Sequence, residues 1–240
     1  MMTLPHLYRA TRIALALVLP FTAACVGNTR PDRFYMLQPM IAPGPGQEST
    51  ARLVIAVGPV RFPDYLSRPQ IVTSTGPNQF HFSEFERWID RLKDNFSRVL
   101  AENLSNLLAT DRVVQFPYPR AIVPDYQILV EVTQFHVTSE GKSLLQTNWH
   151  LIQDDKTIVL KKSNIALPAD TQSYATMVSA QSETLAALSR EIASALQDVA
   201  HRTTARSIRP ARKLQGTLVS STTLEGCRTR RERIGVVSGG

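Results

Sequence analysis

Tyr126-Gln-Ile-Leu-Val-Glu-Val-Thr-Gln-Phe-His-Val-Thr138, then Ser143-Leu-Leu-Gln-Thr-Asn-Trp-His-Leu-Ile-Gln153, is the stretch on which the fold turns. Both segments are rich in β-branched and aromatic residues, and each is bounded by turn residues. Ser139-Glu-Gly-Lys142 joins them, and Asp154-Asp-Lys156 leads into a third strand, Thr157 to Ile165. Three strands on such short connections form an antiparallel meander. With the turn centred between Glu140 and Gly141, His150 falls opposite Glu131 and His136 opposite Leu145, so the two histidines are not a pair. Asp154-Asp155 reads as a tight turn, not as a catalytic carboxylate pair.

Two amphipathic helices flank other strands. The first is predicted from about Ser83 to Ala109. Ser83 and Glu86 have capping-box spacing, and Ile89, Leu92, Phe96, Val99, Leu100, Leu104, Leu107 and Leu108 form one apolar stripe. The second runs from about Tyr174 to Ala200, with Val178, Leu185, Leu188, Ile192, Leu196 and Val199 on its stripe. Ahead of the first helix, Ala51 to Phe62 reads as a strand ended near Gly58-Pro59. Gln70–Thr75 and Gln79–Phe82 form a hairpin about Gly76-Pro-Asn78. Arg112–Phe116 is a further short strand. The order implies a single α/β domain of α+β type: a mainly antiparallel mixed sheet with two helices packed on one face.

The N-terminus has the parts of an export signal. Arg9 and Arg12 precede an apolar run from Ile13 to Phe21, and small residues lead to Cys25. The run is about half of the ~20 residues that span a bilayer. A cysteine in that place suggests a bacterial lipoprotein whose thiol takes diacylglycerol and whose new N-terminus takes a palmitate-type acyl chain. Thr22 stands where such signals usually hold Leu, so an ordinary cleaved signal with an incidental cysteine is the alternative. Residues 1–24 are thus read as signal peptide and 25–50 as a Pro/Gly-rich tether, within which Phe34-Tyr-Met-Leu37 could form a short strand or dock. The domain is expected over 51–201.

The net charge of +7 sits in the tail. From Arg202 onward nine basic residues face only Glu225 and Glu232, so 202–240 is read as a basic, disordered tail and nucleic-acid binding is not expected. Only Cys25 and Cys227 are present, too few for a disulfide framework.

No nucleophile–base pairing, metal-ligand spacing or phosphate loop is visible, so catalytic residues, metal and cofactor are all expected to be absent. His81, His136 and His150 read as structural or surface residues, and Trp149 as core. Pro63-Asp-Tyr-Leu-Ser-Arg-Pro69 is the best candidate contact surface, with an aromatic, a Leu and an Arg on Pro-stiffened backbone. A rigid connector with Tyr65 and Leu66 folded inward is the alternative. Tyr65, Leu66, Arg68 and Trp88 are taken as candidate partner-binding residues.

Val57-Gly-Pro-Val-Arg-Phe-Pro-Asp-Tyr-Leu-Ser-Arg-Pro-Gln-Ile-Val72 resembles the signature stretch of the PqiC (YmbA-like) lipoproteins, auxiliary components of ABC-type transport systems. Phe34-Tyr-Met-Leu37, Arg87-Trp88 and Val99-Leu-Ala-Glu-Asn-Leu104 match in order, and the resemblance covers roughly residues 25–200. Ile89-Asp-Arg-Leu92 departs from the family's acidic, Pro-containing step, and the basic tail has no counterpart. The resemblance implies a non-enzymatic adaptor. Its partners would be an MCE-domain periplasm-spanning protein and, in many systems, ABC permease and ATPase subunits, in intermembrane lipid transport. A homo-oligomer is a further possibility, and so is a lipoprotein that itself holds a lipid. Val26 after the cysteine favours outer-membrane sorting, on the periplasmic face.

Overall fold

The computed structural model describes residues 30–42 and 52–208, with side chains to residue 203. Eight strands occur in it: β1 Arg33–Tyr35, β2 Ile55–Arg61, β3 Gln70–Gly76, β4 Gln79–Trp88, β5 Val113–Gln115, β6 Tyr126–Thr138, β7 Lys142–Gln153 and β8 Lys156–Pro168. Helix α1 spans Leu92–Leu108 between β4 and β5, and α2 spans Tyr174–Ile208.

The meander read from the sequence is present as β6–β7–β8, antiparallel throughout. Asp154 and Asp155 both take positive φ, 49° and 57°, and join Gln153 to Lys156 as a two-residue turn. That primed geometry matches the right-handed twist of the strands, and Asp tolerates it better than most residues. The hairpin β3–β4 also forms as expected.

The sheet forks at β6. One edge of β6 pairs with β7. The other pairs in parallel with β2 along Tyr126–Glu131 and again with β3 at Val137–Thr138. From β2 the sheet continues to β5, and from β3 to β4 and then β1. Residues 62–69 leave the sheet at the end of β2 and rejoin the same edge of β6 further along. The proline-bounded loop is therefore the crossing that opens the fork.

Helix-side residues of β6 and β7 pair directly: Phe135 with Leu145, Val130 with Trp149, Ile128 with Leu151. All six are at most 1% exposed. Onto them pack the stripes of α1 (Phe96, Val99, Leu100, Leu104, Leu108) and α2 (Leu185, Leu188, Ile192, Leu196), each fully buried. The two helices touch at a polar bond, Asn103 Nδ2 donating to Ser189 Oγ at 3.3 Å. Trp149 Nε1 donates to Ser163 Oγ at 2.9 Å, and Ser163 donates on to Glu191 of α2.

Five expectations are corrected. The first helix begins at Leu92, not Ser83, because 79–88 is strand β4. One bond of the capping box does form, Ser83 Oγ accepting from Glu86 N at 3.1 Å, and the same hydroxyl donates to Glu86 Oε2 at 2.6 Å. The two bonds close a bulge, since Val72 pairs with Phe82 while Gln70 pairs with Arg87. Secondly, Ile89, assigned to the helix's buried stripe, precedes the helix and is 59% exposed.

Thirdly, His150 faces Leu129 and His136 faces Leu144, while Glu131 faces Asn148. The turn centres on Glu140, and a register shift between Val132 and Gln134 moves the rest of the ladder. Fourthly, the domain starts at β1 rather than at residue 51. Arg33–Tyr35 pair with Glu86–Trp88 in parallel, and Leu37 is fully buried. Lastly, at the other end the helix continues through Ile208, eight residues past its expected end. Cys25, the signal peptide and the tail beyond residue 208 lie outside the described residues.

Candidate functional site: a cleft beside the signature loop

Pro63, in extended conformation, sets the entry to a single 3₁₀ turn over Asp64–Leu66. Leu66 N donates to Pro63 O and Ser67 N to Asp64 O, each at 3.0 Å. This turn drives Leu66 into the core at 3% exposure. Tyr65 leans on Phe80 at 5.2 Å between centroids. Its hydroxyl is buried without a hydrogen-bond partner among the described residues, and burial raises its pKa above the ordinary 10.0. Tyr65 thus plugs the fork opposite the stretch of β6 that neither β2 nor β3 covers. At the loop's far end Trp88 N donates to Pro69 O at 2.7 Å, which ties the loop to β4.

Of the four residues taken from the sequence as candidate contacts, only Arg68 is exposed. Leu66 is core, and Tyr65 is half-buried against the sheet. Arg68 is exposed, with its guanidinium over the Phe82 ring at 5.3 Å. Trp88 is 5% exposed, yet it lines the same cleft as Arg68. The cleft has a volume of about 680 Å³. Ser67, Arg68 and Pro69 form one wall, Ile89 to Arg91 with Asp94 and Arg98 the other, and Trp88, Asn95 and Gln115 complete it.

Arg68, Arg91 and Arg98 line the cleft with two carboxylates, Asp90 and Asp94, and among the described residues Asp90 forms no ion pair. Arg91 binds Asp94 at 2.7 Å, and Arg98 binds Glu102 at 3.4 Å. Among the described residues no carboxylate forms an ion pair with Arg68. The N-terminus of α1 opens on the same cleft, and its N-cap, Arg91, gives no side-chain cap. Uncapped amides and the helix dipole add positive potential. A cleft of this kind suits a partner's carboxylate beside an apolar group that can lie on Ile89. Its unread contributors were Ile89, Arg91, Arg98 and Gln115. Arg91 and Arg98, seven apart on one helix face, gave the only sequence signal.

The histidines do not converge. His136 is buried and edge-on to Phe80 at 5.2 Å, and desolvation lowers its pKa from 6.5. An imidazole that resists protonation in the fold takes protons more readily when unfolded. Stability is therefore full above about pH 6.5 and falls as the pH drops from there towards the lower folded-state value. The slope is at most about 1.4 kcal/mol per pH unit. Urea midpoints measured between pH 5 and 8 should show that loss, and His136→Gln should flatten it. An equal slope in the variant would assign the loss to other groups. Among the described residues no cluster of His, Cys, Asp and Glu could hold a metal ion.

The family model for the ABC-type transport auxiliary lipoprotein component matches residues 35–193. The chain belongs to that family. The match begins at Tyr35, the last residue of β1, and ends in α2. A solved structure of an uncharacterized protein is 23% identical, covering 70% of this chain and 99% of its own, with a TM-score of 0.58. A DUF330 protein from Xanthomonas campestris is 13% identical, covering 72% and 99%, with a TM-score of 0.60. Both share the fold. No curated protein matches the sequence. As an auxiliary lipoprotein of ABC-type transport, the chain is a membrane-anchored component of the cell envelope. No helix among the described residues is long and apolar enough to cross a membrane.

Proposed function

We propose that this auxiliary lipoprotein is a non-enzymatic adaptor. It is anchored through acyl chains on Cys25 at the periplasmic face of the outer membrane, and it receives an MCE-domain component of an intermembrane lipid-transport system. The observation that carries the reading is the cleft. The family-signature loop, Trp88 and the start of α1 converge there to present Arg68 and Ile89 on a backbone stiffened by Pro63 and Pro69. A pre-formed surface loses little entropy on docking.

The alternative of a domain that holds a lipid between helices and sheet finds that space filled. Phe96, Leu100, Leu104, Phe135 and Trp149 occupy it, each at most 1% exposed. Close-packed interiors leave no room for an acyl chain without repacking.

The test is co-purification from detergent-solubilised envelopes. R68E combined with I89D should leave the fold intact, since both side chains are exposed, and should reduce recovery of the MCE partner at least ten-fold. Undiminished recovery would remove the cleft from the interface. Recovery of stoichiometric lipid from the wild-type domain would favour the alternative.

A further inference from the structure

Among the described residues the sheet ends on β8, which pairs with β7 and with no other strand. The ladder between them is regular from Val159 to Pro168, beyond a shift at Ile158. Along such an edge alternate residues turn N–H and C=O outward, a ready template for another strand. The centre of this edge is Leu160-Lys161-Lys162, with Leu160 67% exposed. Lys161 stands opposite Trp149 on the helix side, its ammonium 5.8 Å from the indole centroid. Lys162 stands opposite Asn148 on the other face. One lysine thus stands on each face of the edge strand. Nearby acids are Asp154 and Asp155 in the turn, Glu191, which accepts from Ser163, and Glu131, which accepts from Asn148 opposite Lys162; Glu140, Asp170 and Glu183 lie towards the Pro168 end, away from the lysine pair.

Lysines on an edge strand guard against self-pairing. A guard alone does not call for an exposed leucine beside them. A second copy of β8 would bring four lysines to the middle of one joint, and like charges set opposite each other are destabilising. The chain's own C-terminal segment, nine basic residues against two acidic, is repelled for the same reason. Charge complementarity selects something else.

We propose that β8 is a docking edge for an extended segment of a partner protein that carries two adjacent acidic residues next to an apolar one, added as a further strand. Successive residues of a strand point to opposite faces, so two adjacent carboxylates reach Lys161 and Lys162 on their separate faces. The apolar neighbour covers Leu160. Main-chain bonds supply affinity, and the side chains supply register.

The probe is a labelled peptide, VTVEEVTV, titrated into the full chain in detergent and read by fluorescence anisotropy, with hydrogen exchange of β8 as the site readout. Saturable binding is expected, with slowed exchange across 159–167. K161E with K162E should weaken it at least ten-fold, and VTVKKVTV or a copy N-methylated at alternate residues should not bind. No binding at 1 mM, equal binding of the N-methylated peptide, or unchanged β8 exchange would overturn the proposal. So would phosphatidylglycerol vesicles that slow exchange across β8 where the peptide does not, which would make the edge a membrane contact.

Discussion

Phe96→Ala is expected to lower the stability of the domain by about 3–5 kcal/mol, the range for truncating a buried aromatic. Phe96 is fully buried on α1, edge-on to Phe62 at 5.2 Å and to Phe135 at 5.6 Å. Phe62 is the last residue before Pro63, and Phe135 lies on β6 where the sheet forks. One ring therefore joins helix, sheet and the root of the signature loop. The loss combines transfer free energy with an unfilled cavity, since three elements with their own ladders cannot collapse onto it. In a domain of this size it corresponds to a fall in Tm of roughly 6–20 °C. Calorimetry with urea unfolding is the check. A loss below about 1.5 kcal/mol would mean that the site relaxes and that Phe96 is not the keystone described.

Asn95→Ala should have the second largest effect, about 2–4 kcal/mol, by a different route. Asn95 is 4% exposed and holds both main-chain groups of Leu37, accepting from its N at 2.7 Å and donating to its O at 3.3 Å. Alanine leaves a buried donor and acceptor unpaired, at about 1–3 kcal/mol for each such group. The strap from Arg33 to Ile41 has other ties, Gln38 N to Ser182 Oγ at 3.2 Å and Asn106 Nδ2 to Ile41 O at 2.7 Å. These should keep it near the helices while Leu37 and β1 loosen. Hydrogen exchange should therefore rise first at Tyr35 to Leu37, ahead of global unfolding. Uniform destabilisation with unchanged local exchange would contradict the strap reading.

That strap shows where sequence reading stops. Phe34-Tyr-Met-Leu37 is apolar enough to read as a short strand or a docked segment, but it is flanked by prolines and has no local periodicity, so nothing near it in the chain names its partner. Its partners, Glu86 to Trp88, lie more than fifty residues away. Those same residues were misread as the first turns of a helix, for a related reason. Ser83 and Glu86 bond each other in a strand bulge at the same spacing as in a capping box, and sequence spacing does not separate the two. The pairing of β4 with β1 and β3 decides it. The meander, in contrast, was legible almost to the residue. Each of its strands finds its partner across a short turn, so local alternation and global pairing agree.

The candidate site follows the same division. Proline spacing marked residues 63–69 as a stiff loop, and Arg68 and Trp88 were picked out from the sequence. Which side chains face out is a matter of packing. The 3₁₀ turn sends Leu66 inward, Tyr65 fills the gap at the fork, and the late start of α1 turns Ile89 out beside Arg68. The sequence by itself settled the strand meander, the two amphipathic helices and the stiffness of the loop, because each rests on interactions between near neighbours. Only the tertiary structure decided that the sheet forks at β6, that β1 belongs to the domain, and that the loop shares a cleft with the start of α1. Those features depend on backbone groups and side chains far apart in the chain, whose pairing local pattern does not encode.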